Sequence, residues 1–359
     1  MIKKVLYVLF IWTLLLGAIE LAAGFVAGDK YPSLEHINPQ IGDEVSGYFA
    51  PNQNRLLFFP SLDSYRMSTN GLGFRSVGIE ITKESIQGKK IILCLGDSHT
   101  LSLFVDDKDS YPYQLQQLIK KAGSDAVVLN AGVGNATITD YFYYLQRKGI
   151  ALKPSTVIIN FSANDIDNLN QPVFKWDEYR RSRRFDVMHH VRNSNTVRAL
   201  MRFYMHFKLE LKLRKIKDPR VKQIMREGSI SLEDIFYVMK QDHYQEVVIN
   251  PSSANLKPLW DKYFKSLGET IQLLQSQKIR VIFFIKPQIL SMFDDQLDTN
   301  YEDLLKDFVE KYGVTFVDVT PRFIGERERY RELFVKPPQD FHLGVLGNTI
   351  VAEMLYDAL

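Results

Sequence analysis

Two polar residues suited to acyl transfer follow apolar runs of this 359-residue chain. Ser98 lies shortly after the run 91–95, and its hydroxyl can attack an ester carbonyl once a base takes its proton. Asn164 follows the run 156–161, and its side-chain amide can donate to a developing oxyanion. These residue types predict a serine nucleophile with an amide donor beside it.

Ser98 also has a simpler interpretation. A serine or aspartate that follows a strand often caps the next helix in an ordinary βα turn. The local sequence is Gly-Asp-Ser-His, which differs from the G-x-S-x-G turn of many serine hydrolases. The catalytic interpretation therefore requires further residues that converge on Ser98.

A base is the first of these, and His342 is the best candidate among seven histidines. It lies after the last predicted strand and before a terminal helix, on a loop that can face the same sheet edge as Ser98. His99 adjoins Ser98, but neighbouring side chains at a sharp turn diverge, so we expect it to form a wall of the site. The remaining histidines are predicted surface residues: His36, His189, His190, His206 and His243.

A glycine-rich loop at 132–135 supplies a second kind of oxyanion donor. Glycine and asparagine tolerate positive φ, so the loop can turn a backbone N–H toward the reacting carbonyl. The N–H of either Gly134 or Asn135 could take this role.

Five apolar strands must position these residues, and helical stretches alternate with them. Such alternation predicts an α/β fold with a parallel sheet covered on both faces. Open α/β sheets bind ligands at the carboxyl ends of their strands, where Ser98 and Asn164 fall. The predicted strands are 91–95, 126–130, 156–161, 279–285 and 314–319.

Composition excludes several classes of protein. A net charge of +3 is too small to imply a nucleic-acid partner. The single cysteine, Cys94, excludes an internal disulfide and lies in a predicted core strand. Cysteine and histidine show no zinc-binding pattern, so we expect neither a metal nor a cofactor.

Residues 1–28 read as a membrane anchor. The part from Val5 to Ala27 is mostly apolar apart from Glu20, is about long enough for a spanning helix, which needs roughly 20 residues, and follows Lys3-Lys4. The charges predict a cytoplasmic amino terminus and a periplasmic or extracellular remainder. A cleavable signal peptide is the alternative. Glu20 would have to lie near a helix end or in a helix contact.

Two further segments depart from the strand and helix alternation. Residues 29–88, rich in Pro, Asn and Gly, are predicted to pack on the core as an N-terminal extension, either a connecting arm or a lid. Residues 173–256 are predicted to form a basic helical insertion within the core domain, 89–359. The insertion could bind acidic lipid headgroups or an anionic polymer, or form a solvated helix pair over the core.

Four blocks of residues resemble those of the SGNH, or GDSL-type, hydrolase superfamily, in the same order. The resemblance covers roughly 89–166 and 278–359, and the stretch 70–75 is similar to membrane-anchored bacterial members with an N-terminal extension. It implies a three-layer, flavodoxin-like sheet. The blocks are Gly96-Asp97-Ser98-His99-Thr100, the loop 130–135, Asn164-Asp165 and His342.

The resemblance also implies roles for individual residues. Ser98 would be the nucleophile and His342 the base. The backbone N–H of Ser98, an N–H of the glycine loop and the Asn164 amide would form the oxyanion hole.

Three positions depart from the family pattern. Asn135 stands where the second block usually has glycine, and Ser162 stands where the third block does. The family's acidic residue lies three positions before the histidine, where this chain has Gln339, whereas Asp340 is two before. Either Asp340 orients the imidazole, or Gln339 or a backbone carbonyl does so.

The sequence therefore predicts a membrane-tethered serine esterase that removes acyl, especially acetyl, groups from an envelope or exported glycan. An O-acyltransferase acting on the same substrates is one alternative. A non-catalytic glycan-binding or assembly protein with this fold is the other.

Overall fold

A five-stranded parallel sheet forms the centre of the computed structural model. The structure describes residues 2–27, 46–57, 65–78, 81–170, 173, 194–227, 234, 237–238, 253, 255–287, 292, 301–337 and 340–359. A short hairpin precedes the sheet in the chain, and a second hairpin follows it. The strands are β1 (Asn54–Leu57), β2 (Tyr65–Ser68), β3 (Ile91–Gly96), β4 (Val127–Gly132), β5 (Thr156–Phe161), β6 (Arg280–Ile285), β7 (Thr315–Asp318), β8 (Phe334–Lys336) and β9 (Asp340–Leu343).

The strand order of the central sheet is β4-β3-β5-β6-β7, and all neighbours are parallel. This is the flavodoxin-like order, in which the first strand along the chain lies between the second and the third. The chain leaves β3 toward β4 and leaves β5 toward β6, on opposite sides, so the loops after β3 and β5 flank a crevice at the carboxyl edge. The predicted α/β class and parallel sheet are confirmed, and Ser98 lies at this crevice.

Helices cover both faces of the sheet. Along β3, Leu93 and Leu95 face one hydrophobic core, whereas Ile92 and Cys94 face the other. This alternation explains why the sequence of a doubly covered strand is continuously apolar. The helices are α1 (Ile2–Ala27), α2 (Ser98–Leu101), α3 (Tyr111–Lys121), α4 (Ile138–Tyr144), α5 (Asn164–Asn168), α6 (Asn195–Lys215), α7 (Pro219–Glu227), α8 (Lys257–Ser276), α9 (Tyr301–Glu310), α10 (Thr320–Gly325), α11 (Tyr330–Leu333) and α12 (Val345–Asp357).

Two glycines allow α2 to lie against the ends of β3 and β4. A Cβ on Gly132 would come within 2.1 Å of the Leu101 nitrogen. A Cβ on Gly96 would come within 1.9 Å of the Thr100 Oγ1. Helix α2 therefore sits closer to the sheet than any side chain at these two positions would permit.

The described part of the predicted N-terminal extension packs on the core. Its strands β1 and β2 form an antiparallel hairpin, and Tyr65 and Phe74 join the hydrophobic core on one face of the sheet. Arg75 forms an antiparallel bridge with Asn130 at the edge strand β4. This segment thus lies against the β4 edge of the sheet.

The amino-terminal residues form the single helix α1. Of the helices within the described ranges, none combines the length and the hydropathy that crossing a membrane requires. The transmembrane helix predicted over 1–28 is therefore not borne out. The Glu20 carboxylate in α1 accepts hydrogen bonds at the amino end of α6, from Ser194 Oγ at 2.9 Å and Thr196 Oγ1 at 2.7 Å. Glu20 thus lies in a helix contact.

Candidate active site

Ser98 begins α2 directly after β3. The Asp97 carboxylate caps this helix, because its Oδ1 accepts a hydrogen bond from the His99 N–H at 2.9 Å. As the first residue of the helix, Ser98 has a backbone N–H without an intrahelical acceptor. Its side chain is half-buried at the crevice. The turn therefore presents both a hydroxyl and a backbone donor to the same space.

His342 and Asp340 come from the hairpin β8–β9 near the end of the chain. The Ser98 Oγ lies 2.8 Å from His342 Nε2, and His342 Nδ1 lies 2.7 Å from Asp340 Oδ1. Asp340 Oδ1 also accepts the His342 backbone N–H at 2.8 Å. A proton on Nδ1 donated to Asp340 leaves Nε2 free to accept the serine proton, which is the tautomer that a general base requires.

The structure thus brings together the three residues that the sequence singled out for nucleophile, base and acid. Asp340 contacts the imidazole although it lies only two positions before His342. Its carboxylate accepts the His342 backbone N–H, so the side chain folds back along β9 and reaches the imidazole despite the short spacing. Gln339, the alternative, lies outside the described residues. The catalytic roles themselves stay predictions.

Two rings enclose the imidazole of His342. The His99 ring stacks on it at 4.6 Å between centroids and 23° between planes, and the Phe104 ring meets it edge-on at 4.9 Å and 88°. Burial, together with the nearby Lys286 and His342, holds the pKa of His99 well below its usual range. His99 is therefore a neutral wall of the site, the position that the sequence suggested.

The Asn164 amide points toward the turn between β3 and α2. Its Nδ2 donates to Asp97 Oδ2 at 3.0 Å, which occupies one of its two N–H groups. Ser162, where the family pattern has glycine, donates from Oγ to Asp97 Oδ1 at 3.3 Å. The hydroxyl of Ser162 thus adds a hydrogen bond to the Asp97 carboxylate, which caps α2.

The glycine loop adjoins the end of β3. Val133 donates its N–H to the Gly96 carbonyl at 3.0 Å, so the loop begins beside the turn that carries Ser98. Asn135 has φ of 63°, in the left-handed region where asparagine is tolerated. Within the described ranges, no group accepts the N–H of Gly134 or Asn135. Both backbone donors therefore stay candidates for the oxyanion hole.

Lys286 is a residue of this site that sequence reasoning missed. It directly follows β6, and only 8% of it is exposed. Burial lowers its pKa, while the carboxylates of Asp97, Asp165 and Asp340 oppose that shift. Burial, followed by the charge of Asp97, raises the pKa of Asp165 well above its usual range. A lysine immediately after an apolar strand, at the edge that carries Ser98, was the available signal.

In the described segments, no three His, Cys, Asp or Glu side chains are grouped so as to hold an ion. In this site a hydroxyl contacts an imidazole, the imidazole contacts a carboxylate, and amide donors lie nearby. This arrangement suits acyl transfer through a covalent serine ester.

Several solved structures are similar to this chain. The acetyl xylan esterase AlAXEase is 14% identical with a TM-score of 0.43, and the similarity covers 75% of this chain and 99% of that one. A catalytic mutant of Axe2, an acetylxylan esterase from Geobacillus stearothermophilus, is 15% identical with a TM-score of 0.41, covering 75% and 93%. The psychrotrophic esterase EstA from Pseudoalteromonas sp. is 12% identical with a TM-score of 0.38, covering 75% and 96%.

Sequence comparison gives the family. No curated protein sequence matches the chain. The model of the GDSL-like lipase/acylhydrolase family matches residues 94–350, which include Ser98, Asn164, Asp340 and His342. The match spans well over half of the 359 residues. The chain therefore belongs to the GDSL-like lipase/acylhydrolase family.

Proposed function

We propose that this protein is a serine ester hydrolase that removes small acyl groups, chiefly acetyl, from an alcohol. The observation that carries the proposal is the unbroken contact from hydroxyl to carboxylate: 2.8 Å from Ser98 Oγ to His342 Nε2 and 2.7 Å from His342 Nδ1 to Asp340 Oδ1. Family membership is consistent with it.

In the proposed mechanism, the proton moves from Ser98 to His342 and then to the leaving alcohol. His342 takes the Ser98 proton as Oγ attacks the ester carbonyl, and Asp340 stabilises the imidazolium that results. The oxyanion accepts hydrogen bonds from the Ser98 N–H, an N–H of Gly134 or Asn135, and the second N–H of Asn164. Collapse of the tetrahedral intermediate releases the alcohol, which takes the proton from His342. Water, deprotonated by His342, then attacks the acyl-enzyme. The bond from Ser98 Oγ to the acyl carbon breaks, the carboxylic acid leaves, and His342 returns the proton to Oγ.

Two measurements on one pair of proteins test this reaction. The wild-type protein should hydrolyse p-nitrophenyl acetate and react covalently with a fluorophosphonate at Ser98. Ser98→Ala should abolish both while its circular dichroism and melting temperature stay those of the wild type. Equal turnover by the variant would remove Ser98 from the mechanism, and an unreactive wild type would favour a non-catalytic binding or assembly protein.

We propose an acylated carbohydrate of the cell envelope, or an exported glycan, as the substrate. The side chains of His342 and Asp340 are each 21% exposed, so the reacting groups lie at the surface. Such a site can receive an acetyl group while a large alcohol stays in solvent. Mass spectrometry of acetylated glycans before and after incubation with the protein tests this, and unchanged glycan acetylation would contradict it.

Transfer of the acyl group to a sugar hydroxyl is the variant of this proposal that the chemistry permits. It requires only that the hydroxyl replace water at the acyl-enzyme. Supplying an unacetylated glycan acceptor together with p-nitrophenyl acetate distinguishes the two. Acetyl groups on the acceptor indicate transfer, whereas free acetate alone indicates hydrolysis.

For localisation, we propose that α1 attaches the protein to a membrane, with the catalytic domain on its periplasmic or extracellular side. Side chains along α1 expose large apolar surfaces: Phe10 is 60% exposed, Trp12 56% and Leu16 60%. Carbonate extraction of membranes and protease treatment of intact cells that express the full chain test this. Recovery of the protein in the wash, or its protection from external protease, would contradict it.

A further inference from the structure

Arg75 is a buried arginine in the segment that precedes the core domain. Only 3% of it is exposed. The turn before it is fixed by Asn70, whose Oδ1 accepts the N–H groups of Leu72 and Phe74 at 3.0 and 3.1 Å. The backbone of Arg75 then pairs with Asn130 on the edge strand β4. The backbone of Arg75 is therefore fixed against the sheet.

All five N–H groups of this guanidinium have acceptors. A planar fork of five donors can serve acceptors on several sides at once, which the single ammonium of lysine cannot do. Three of the acceptors are carbonyls of the segment that follows the nucleophile, residues 101–105. The partners are the carbonyls of Leu101 at 2.6 Å, Ser102 at 2.5 Å, Val105 at 2.6 Å and Arg66 at 3.3 Å, and Asp107 Oδ1 at 2.8 Å.

The 101–105 loop needs such support. Ser102 has φ of 58° and Phe104 has φ of 71°. The left-handed region costs a residue with a side chain about 1–2 kcal/mol, so two such residues close together persist only where neighbouring groups hold them. The hydrogen bonds from Arg75 to carbonyls at 101, 102 and 105 bracket both positions.

This loop contacts the candidate base in two ways. The Phe104 ring packs edge-on against the His342 ring at 4.9 Å. Ser102 Oγ donates to Asn348 Oδ1 at 3.0 Å, and Asn348 Nδ2 donates to the carbonyls of Leu343 at 3.0 Å and Gly344 at 2.9 Å. The loop therefore reaches both the ring of His342 and the backbone that follows it.

We propose that Arg75 is a positioning residue for catalysis: through the 101–105 loop it holds the His342 imidazole within reach of Ser98. The inference rests on the proposed function, because it assigns His342 as the base. It also gives the segment before the core a task other than that of a lid or a connecting arm. Tyr65, which lies edge-on to Phe104 at 5.8 Å, supports the loop from the same segment.

A double-mutant cycle tests the route through the loop. Arg75→Lys and Phe104→Leu should each lower kcat on p-nitrophenyl acetate by between about ten-fold and a hundred-fold with little change in KM, because a displacement near 1 Å costs that much. The double variant should be no slower than the slower single variant. Losses that multiply would mean that the two residues act independently, which overturns the proposal.

Arg66→Lys is the matched control. It makes the same substitution in the same segment, but its side chain is exposed and donates to Asn54 rather than to the 101–105 loop. Its kcat should equal that of the wild type. If Arg75→Lys does not fold, Phe104→Leu and Ser102→Ala still test the proposal, because each removes one contact between the loop and the His342 region. Unchanged kcat in both would overturn it.

A crystal structure of Arg75→Lys separates this inference from the proposed function. Phe104 should leave its contact with His342, moving by about 1 Å or more. An unmoved Phe104 overturns the positioning role even if the wild-type protein is an active esterase. Conversely, a wild-type protein that neither turns over ester nor reacts with a fluorophosphonate refutes the esterase assignment, while the displacement of Phe104 still decides whether Arg75 holds this loop.

Discussion

The side-chain amide of Asn164 donates to the carboxylate of Asp97, with 3.0 Å between Nδ2 and Oδ2. The other oxygen of that carboxylate accepts the His99 N–H and so caps α2, the helix that begins with Ser98. One carboxylate thus ties the loop after β5 to the turn after β3. The amide of Asn164 is oriented before substrate arrives, and the proposed mechanism assigns its second N–H to the reacting carbonyl oxygen.

Asn164→Ala should therefore lower kcat by about 10²–10³-fold, the usual effect of removing one oxyanion donor. KM should change little, because the hydrogen bond strengthens only as charge develops on the oxygen. Steady-state kinetics on p-nitrophenyl acetate measure both constants. Asn168→Ala, at the other end of α5, is the control and should leave them unchanged. A loss confined to KM would mean that Asn164 binds substrate rather than stabilising the oxyanion.

Asp340→Asn should lower kcat by up to about 10⁴-fold, because the carboxylate fixes the imidazole tautomer and stabilises the imidazolium. Gln339→Ala, which alters the position that carries the acid in the family pattern, should leave kcat unchanged. Both are measured with the same acetyl ester. The opposite pattern, with a loss only at position 339, would transfer the orienting role away from Asp340.

Much of this architecture could be predicted from sequence, because its signals are local. The strand before Ser98 is apolar on both faces, and Ile92 and Leu93 indeed reach opposite cores. Ser98, Asn164 and His342 each follow a strand or lie on a strand of the closing hairpin, so parallel topology alone brings the first two to one edge. The contact between Asp340 and His342 depends on the conformation of β9, in which the Asp340 carboxylate reaches back to the His342 N–H. The spacing of the two residues in the sequence could not predict this contact.

Residues whose importance depends on contacts across the fold could not be predicted in this way. Lys286 lies 188 positions after Ser98, and only the sheet order brings its charge near Asp97. Arg75 was visible as part of a motif, but its five acceptors come from loops whose conformations have no periodic signature. Both residues are polar groups buried among partners distant in sequence, and burial of that kind follows from tertiary structure.

Lys286→Met should lower the free energy of unfolding, because it removes a buried cation whose charge is opposite to those of Asp97, Asp165 and Asp340. Urea unfolding measures the change. Lys89→Met, at an exposed lysine before β3, is the control and should alter stability by no more than about 0.5 kcal/mol. Equal stability of Lys286→Met and wild type would contradict this electrostatic role.

His99 should make the folded protein sensitive to acid. Burial holds its pKa well below the ordinary value of 6.5 in the folded state. As pH falls below about 6.5, the unfolded chain binds a proton at this residue and the folded chain does not, so stability decreases with falling pH. The slope from this one group reaches at most about 1.4 kcal/mol per pH unit.

His99→Phe removes that proton uptake and keeps an aromatic ring to stack on His342. Its free energy of unfolding should therefore fall less steeply than that of the wild type between pH 6.5 and pH 5, where the unfolded His99, with its ordinary pKa of 6.5, is protonated. Above pH 8 the two curves should run parallel, since His99 is then neutral in both states. Urea unfolding across this range measures the difference. Parallel curves at acid pH as well would mean that folded His99 binds a proton as readily as the unfolded chain, against its burial beside Lys286.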